Sequence, residues 1–265
     1  MEIQKQKELL NKICPLKKGY VNSRREVRVD FFNNIQTEIQ AYLLGFYVAD
    51  GSINDKRHTL RIKVNINDLE IPKLFVEYIC PKARQITNKP FKMIGTSGKE
   101  ILIKETFQID ITNKNIYESL NNLGYGANKT YHHLHIPNLP DNLIWAFIRG
   151  YFDGDGCITG SIRYPNIKNR EKNIRFSYRV EWVSKTSSLL EDIQKFLLKY
   201  NINSSIRSYN NGLYYRLNIG AKNDIKTLFN CMYNDCNFCL KRKYNKFEHY
   251  VNTETSQFIA ERCNA

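Results

Sequence analysis

Two stretches of this chain are built alike. "AYLLGFYVADGSI" (41–53) and "WAFIRGYFDGDGCI" (145–158) are each an apolar run that ends in Asp-Gly and passes into a strand-like segment. The correspondence continues downstream: "DLEIPKLFVEYI" (68–79) answers to "LLEDIQKFLLKY" (189–200), and "ITNKNIYESLNNL" (111–123) to "IGAKNDIKTLFNCM" (219–232). Self-similarity at a steady spacing means one supersecondary unit used twice. Each copy reads as helix, β-ribbon, helix, β-ribbon, helix. The expected fold is therefore α+β, with two pseudo-symmetric αββαββα repeats. The expected boundaries are a basic N-terminal extension at 1–34, a first repeat at 35–138, a second at 139–251 and a C-terminal tail at 252–265. Only "HIPNLPDNL" lies between the repeats, and its Pro140-Asp141 reads as a helix start.

The first motif helix has its own punctuation. Thr37 followed three residues later by Gln40 is a capping-box signature, and Gly51 is expected as the left-handed C′ stop. Asp50 then sits at the helix C-terminus, where the macrodipole disfavours an anion by roughly 0.3–1 kcal/mol. Asp155 repeats that placement, which points to a compensating cation. Gly45 with Ala49, and Gly150 with Gly154, put small residues four apart on one face of each helix. Faces of that kind let two backbones approach closely. Helices packed through them would bring both aspartates to one end, as an oxygen-rich site for a divalent metal.

The ribbons alternate with period two. In "RHTLRIKVNI" (57–66) Arg57, Thr59, Arg61, Lys63 and Asn65 oppose an apolar set. In "IRFSYRVEW" (174–182) Arg175, Ser177, Arg179 and Glu181 oppose Ile174, Phe176, Tyr178, Val180 and Trp182. In "LYYRLNI" Tyr214, Arg216 and Asn218 oppose Leu213, Tyr215, Leu217 and Ile219. A single polar strand face is commonly just solvated. Three that present Arg, Lys, Asn, Ser and Tyr suit phosphates and base edges, and a two-stranded ribbon fits the major groove. The candidate DNA-contacting set is Arg57, Arg61, Lys63, Arg175, Arg179, Arg207 and Arg216.

Charge agrees with that partner. With 40 Lys+Arg against 26 Asp+Glu the net charge is +14, and a polyanion releases counterions to such a surface. The 42% hydrophobic content excludes a disordered, solvated chain. Apolar runs fall short of a membrane span and the first residues are charged, so a soluble intracellular protein is expected, with no membrane partner. The 7 cysteines are odd in number and scattered, which suits reduced thiols better than a disulfide framework. Cys231, Cys236 and Cys239 have the spacing of three iron–sulfur ligands, but "LFNCMYNDCNFCL" also reads as a helix and turn with small apolar cysteines. His132, His133 and His135 lack partners at zinc-ligand spacing and read as loop or strand histidines near phosphate.

"LLGFYVADG" (43–51) and "IRGYFDGDG" (148–156) resemble the two signature motifs of a single-chain LAGLIDADG homing endonuclease. The likeness runs from about residue 35 to residue 250 and includes "LKRKYNKF" (240–247). The resemblance implies motif helices packed at a pseudo-twofold axis, a saddle of antiparallel β-ribbons on that two-helix interface gripping double-stranded DNA, and Mg²⁺ or another divalent cation held by the final acid of each motif. Carried over, those acids are Asp50 and Asp155. The sixth motif position is Asp153 in one copy and Val48 in the other; Asp153 is read as non-catalytic because it points away from Asp155. Family members also use a basic residue from each half, which implies Lys129 and Lys243, with Lys241 and Arg242 as alternatives beside the second.

The expectation is a metal-dependent endonuclease, monomeric, cutting both strands at a long target that is not a perfect palindrome. Rival readings are an intron maturase that binds RNA and a non-catalytic DNA-binding regulator on the same scaffold. No protein-splicing segments flank the motif region, so a free-standing enzyme is expected rather than an intein. Bacterial, phage and organellar settings are equally compatible.

Overall fold

The computed structural model describes residues 2–18, 26–95, 98–163 and 175–253. Cys263 and nearly all of the expected C-terminal tail lie outside them, as does part of the expected N-terminal extension.

What is described of that extension is folded. α1 (Ile3–Ile13) buries Gln6 and Leu10, and is followed by the short antiparallel pair β1 (Lys17–Lys18) and β2 (Glu26–Val27). Arg28 is buried beneath α1, donating to the Cys14 carbonyl at 2.6 Å and to Asn11 Oδ1 at 2.7 Å. Gln6 reaches the start of α2 (Glu38–Asp50): its Oε1 accepts from Ile39 N at 3.1 Å and its Nε2 donates to Glu38 Oε2 at 3.1 Å. The Thr37–Gln40 capping box is present as the sequence predicts, Gln40 Oε1 accepting from Thr37 N at 3.1 Å. Between them these groups satisfy N–H donors that a helix N-terminus otherwise leaves open. α2 is buried from Ile39 to Val48. A helix apolar on every side can be stable only inside a core.

The first repeat continues through β3 (Gly51–Asn54), β4 (Thr59–Asn65), α3 (Glu70–Tyr78), β5 (Arg84–Asn88), β6 (Phe91–Ile94), β7 (Glu100–Ile103), β8 (Thr106–Thr112) and α4 (Lys114–Asn122). The second runs α5 (Asp141–Asp155), β9 (Gly156–Arg163), β10 (Arg175–Ser184), α6 (Ser188–Leu198), β11 (Ser205–Tyr209), β12 (Tyr214–Ile219), α7 (Lys222–Tyr233) and α8 (Lys241–Asn252). Each repeat has a four-stranded antiparallel sheet, ordered β3-β4-β8-β5 in one and β9-β10-β12-β11 in the other. These orders are equivalent element by element, so the α+β architecture of two like repeats stands. Repeat one adds the separate hairpin β6–β7; where it stands, repeat two makes a tight turn at residues 210–213.

Register fixes which residues correspond. Gly51 pairs with Ile62 and Ile62 with Ile109; Gly156 pairs with Trp182 and Trp182 with Leu217. Arg61, Asp110 and Gln108 therefore occupy the positions that Glu181, Asn218 and Arg216 hold in repeat two. The apolar strand faces carry the core: Leu60, Ile62, Ile109 and Ile111 under α3 and α4, and Val180, Trp182, Leu217 and Ile219 under α6 and α7.

Compact packing divides the chain into residues 1–129 with 137–154, and residues 130–136 with 155–265. α5, except for its last residue, thus packs with the first repeat. Among the described residues no helix is long and apolar enough to cross a membrane.

Candidate active site and nucleic-acid interface

The small residues of the motif helices meet as their spacing predicts. A Cβ placed on Gly45 would fall closer than 3.0 Å to the Phe147 carbonyl and the Tyr151 nitrogen; one on Gly150 would do the same to the Tyr42 carbonyl and the Phe46 nitrogen. Those are corresponding atoms of the two helices, so the contact is twofold in character. A Cβ on Gly154 would overlap that of Ala49 and come within 3.4 Å of Asp50 Oδ2. Backbone touches backbone here because no side chain intervenes. Asp50 and Asp155, each the last residue of its helix, are both exposed.

Gly51 departs from expectation. Its φ of −78° and ψ of 157° are extended, not left-handed, and β3 starts at this residue. Glycine is required for space instead: a Cβ would strike the ring and carbonyl of Tyr47. Tyr47 itself is pinned, donating from Oη to the Tyr125 carbonyl at 2.7 Å, and burial pushes its phenol pKa up.

Beside each aspartate stands a lysine in the same role. Lys129 Nζ donates to the Gly51 carbonyl at 2.7 Å, and Lys243 Nζ donates to the Gly156 carbonyl at 2.7 Å. Each therefore brings positive charge to the C-terminal end of a motif helix, where carbonyls and an acid concentrate negative charge. Lys129 is buried at 6% exposure, with its ammonium 5.3 Å from the Tyr47 ring centroid, so it is not a solvated surface lysine. Lys243 is half-buried near the start of α8, whereas Lys241 and Arg242 are exposed.

Asp153 is buried and accepts from Tyr42 Oη at 2.7 Å. That contact joins α5 to α2. Tyr42 also carries the Arg149 guanidinium 5.6 Å from its ring centroid, and Arg149 pairs with Glu38, the residue Gln6 holds from α1. A buried polar line thus runs from the N-terminal helix to the last turn of α5.

The polar strand faces are present but differ in detail from the sequence pattern. Arg57 is not in a strand: it lies in the β3–β4 turn, its N–H donating to Asn54 Oδ1 at 2.9 Å. His58 breaks the alternation with a φ of 47°, a left-handed conformation suited to a turn. Thr59 is buried and hydrogen-bonds Thr112 at 2.8 Å. Leu213, assigned by alternation to the apolar face, is 56% exposed in the β11–β12 turn, whose Asn210, Asn211 and Gly212 all have positive φ. Arg61 and Lys63 project from β4 to solvent, as does Arg179 from β10 and Arg207 from β11. Arg175 opens β10, and its side chain lies outside the described residues.

Three of the candidate arginines are engaged by acids. Arg61 forms a two-pronged pair with Asp110, Nε to Oδ1 at 2.8 Å and Nη2 to Oδ2 at 3.1 Å. That hydrogen bonding raises the Arg61 pKa. Burial alone would raise the Asp110 pKa, but its bonds to Arg61 and Gln108 hold it below the ordinary value of 3.8. Arg216 packs 4.9 and 5.3 Å from the ring centroids of Tyr209 and Tyr214 and lies 3.7 Å from Glu181, which also accepts from Arg179 at 3.3 Å. Sequence reasoning missed Arg84, Gln108 and Asp110. They line a shallow cleft with Asn54, Arg57, Arg61 and Thr112, or border it, and the alternation of "FQIDIT" was the available signal.

Among the described residues no group of three or more His, Cys, Asp or Glu is placed to hold a metal. Cys231 ends up on α7, and burial raises its thiol pKa. His132 and His133 are exposed, and His135 Nδ1 lies 2.9 Å from Asp192 Oδ2.

A helix duplicated with its small-residue face, its terminal acid and its ribbon defines a two-motif scaffold, and the family comparisons agree. Residues 142–230 match the LAGLIDADG-like domain and residues 39–104 match the WhiA LAGLIDADG-like domain. The chain is a two-motif LAGLIDADG protein. Its fold is similar to that of the I-LtrWI LAGLIDADG homing endonuclease bound to target DNA, at TM-score 0.51 and 12% identity over 84% of this chain and 90% of that one. It is likewise similar to the LAGLIDADG meganuclease I-AabMI bound to uncleaved DNA, at TM-score 0.53 and 10% identity over 80% and 89%. A probable translation initiation factor IF-2 of Methanocaldococcus jannaschii is 25% identical over 250 residues. The match takes in 85% of this chain but only 20% of that protein, so the chain spans about a fifth of its length.

Proposed function

We propose that this protein is a sequence-specific endonuclease that binds double-stranded DNA on the polar faces of its two sheets and hydrolyses one phosphodiester with each motif. The observation that carries the reading is the repeated constellation of a helix-terminal aspartate, the next residue's carbonyl and a lysine bound to that carbonyl. Asp50 and Asp155 are the carboxylates that would hold a divalent cation. The donor set fits a hard ion that keeps several waters and takes only one or two carboxylates from the protein, as Mg²⁺ does. Such an ion supplies Lewis acidity toward phosphoryl oxygens.

The chain's own groups do the rest. Lys129 and Lys243 fix the backbone that follows each acid and place positive charge beside it, where a phosphorane would be stabilised. Arg61, Lys63, Arg179, Arg207 and Arg216 offer cations and hydrogen-bond donors to phosphates and base edges. Asp153 keeps the two helices in register. A second reading, DNA binding without cleavage, is favoured by one observation: the repeat holding Asp50 matches a LAGLIDADG-like domain of a different description from that of the other repeat.

Incubation with a randomised duplex library and Mg²⁺, followed by sequencing of cut ends, tests the proposal. Discrete cleavage that disappears with chelator is expected. Asp50→Asn and Asp155→Asn should each lower double-strand cutting at least about 100-fold, since several kcal/mol of transition-state stabilisation is removed, while binding of the selected target persists. Selected binding with no cut ends in the parent would establish the second reading instead.

A further inference from the structure

Repeat one differs from repeat two by more than its side chains. β5 pairs with β8 from Arg84↔Asp110 to Asn88↔Thr106, and β6 pairs with β7 from Phe91↔Ile103 to Ile94↔Glu100. Two residues intervene on each side, Lys89-Pro90 and Lys104-Glu105. Because the interruptions are equal, pairing resumes in unchanged register, and strand alternation carries across it. The four strands are one interrupted two-stranded arm. In repeat two the equivalent ribbon, β11 with β12, closes at Tyr209↔Tyr214, the position of Asn88↔Thr106.

Alternation also assigns the arm's faces. Arg84, Ile86 and Asn88 share a face with Asp110, Gln108 and Thr106, and that face is the one bearing Arg61 and Lys63. Followed outward, it presents Lys92, Ile94, Glu100 and Leu102. Ile94 and Leu102 are 74% and 60% exposed, so nothing in the first repeat covers them. The reverse face continues the core side of the sheet as Phe91, Met93, Ile101 and Ile103, beyond the reach of the helices that cover Ile109 and Ile111.

We propose that this arm is a DNA-contacting extension peculiar to the first repeat, its Lys92–Leu102 face following the groove past the end of the sheet. The inference rests on the DNA-binding reading above. Aliphatic side chains there would meet thymine methyl groups, Lys104 would neutralise a phosphate, and Lys92, whose Nζ lies 3.1 Å from Glu100 Oε2, would exchange that exposed ion pair for one. From Asn88 to Ile94 the arm adds roughly 20 Å of strand at about 3.3 Å per residue, which spans about six base pairs. The part of the target read by this ribbon of repeat one is therefore longer by about that amount than the part read by β11–β12, while repeat two has its own longer ribbon in β9–β10, paired out to Arg163↔Arg175.

The test compares hydroxyl-radical footprints on a library-selected target, in Ca²⁺, of the parent and of a variant whose residues 89–105 are replaced by repeat two's own turn, Asn-Asn-Gly-Leu. The variant should lose about six base pairs of protection at one end of the parent footprint and nothing elsewhere. Two point variants guard against misfolding of the replacement. Leu102→Glu, on the groove face, should weaken binding about tenfold, and Met93→Glu, on the reverse face, less than about twofold. An unshortened footprint overturns the proposal, as does equal weakening by the two point variants. It is also overturned if arm replacement changes the oligomeric state and not the footprint, since the arm would then be a protein contact. A parent that binds no DNA defeats the DNA-binding reading and this one together, whereas a normal parent footprint with an unaffected variant defeats this one alone.

Discussion

At one matched position, Arg61 in the first sheet and Glu181 in the second, the two repeats carry opposite charges. Repeat one places Arg61 on its second strand with Asp110 opposite; repeat two places Glu181 there, with Asn218 opposite and Arg216 one step along. Both arrangements hold an arginine against a carboxylate, but the acid and the base have changed strands. A scaffold fixed by its apolar face leaves the polar face free to vary. The backbone end of each repeat shows the reverse behaviour. Gly45 and Gly150 contact corresponding atoms, and Lys129 and Lys243 make the same bond at the same length. Symmetry survives at the ends of the motif helices and is lost on the polar strand faces.

The sharpest way to break that symmetry is at the helix contact. Gly45→Leu and Gly150→Leu should each destabilise the fold by about 3 kcal/mol, because backbone must move to admit the side chain. Denaturant unfolding should give similar losses for both. A variant as stable as the parent would show that its half of the contact is loose and the pairing unequal.

The lysines should separate the repeats more gently. Lys129→Ala removes a buried ammonium from both a carbonyl and the Tyr47 ring, and should cost roughly 1–3 kcal/mol of stability. Lys243→Ala, at a half-buried site, should cost less than about 1 kcal/mol. Equal losses in thermal unfolding would mean that burial of Lys129 contributes nothing of its own.

Effects at the swapped charges should appear in affinity for a selected target and not in stability. Arg61→Ala leaves the Asp110 carboxylate facing a phosphate and should weaken binding about tenfold. Glu181→Ala releases Arg179 and Arg216 and should strengthen binding severalfold, with a steeper salt dependence. Equal effects of one sign would show that these acids do not tune the arginines beside them.

Much of this was legible because it depends on spacing. The Thr37–Gln40 cap, the start of α5 at Pro140-Asp141 and the small-residue faces each follow from local pattern. The lysines became visible through likeness to a known family, and their bonds to glycine carbonyls could not be read from spacing. Gly51 was assigned to a left-handed turn, when its glycine is demanded by the Tyr47 ring, a contact set by tertiary packing. Arg57 was assigned to a strand because alternation extends by chance into the turn, and only the left-handed His58 ends it. The pairing of Arg61 with Asp110 joins residues distant in sequence, so register had to be known first. The β6–β7 arm escaped notice because an apolar ribbon beyond the reach of any covering helix has the same alternation as one inside the core.

The hydrogen bond from Tyr42 to Asp153 bears on ancestry. A duplicated gene begins as two interchangeable halves, each able to pair with its own copy. Here Tyr42 corresponds to Phe147 and Asp153 to Val48. Two copies of repeat one would set the Tyr42 hydroxyl against Val48, and two copies of repeat two would bury the Asp153 carboxylate against Phe147, at a cost of several kcal/mol. Divergence at that one pair therefore favours the pairing of unlike halves over the pairing of either half with its own copy.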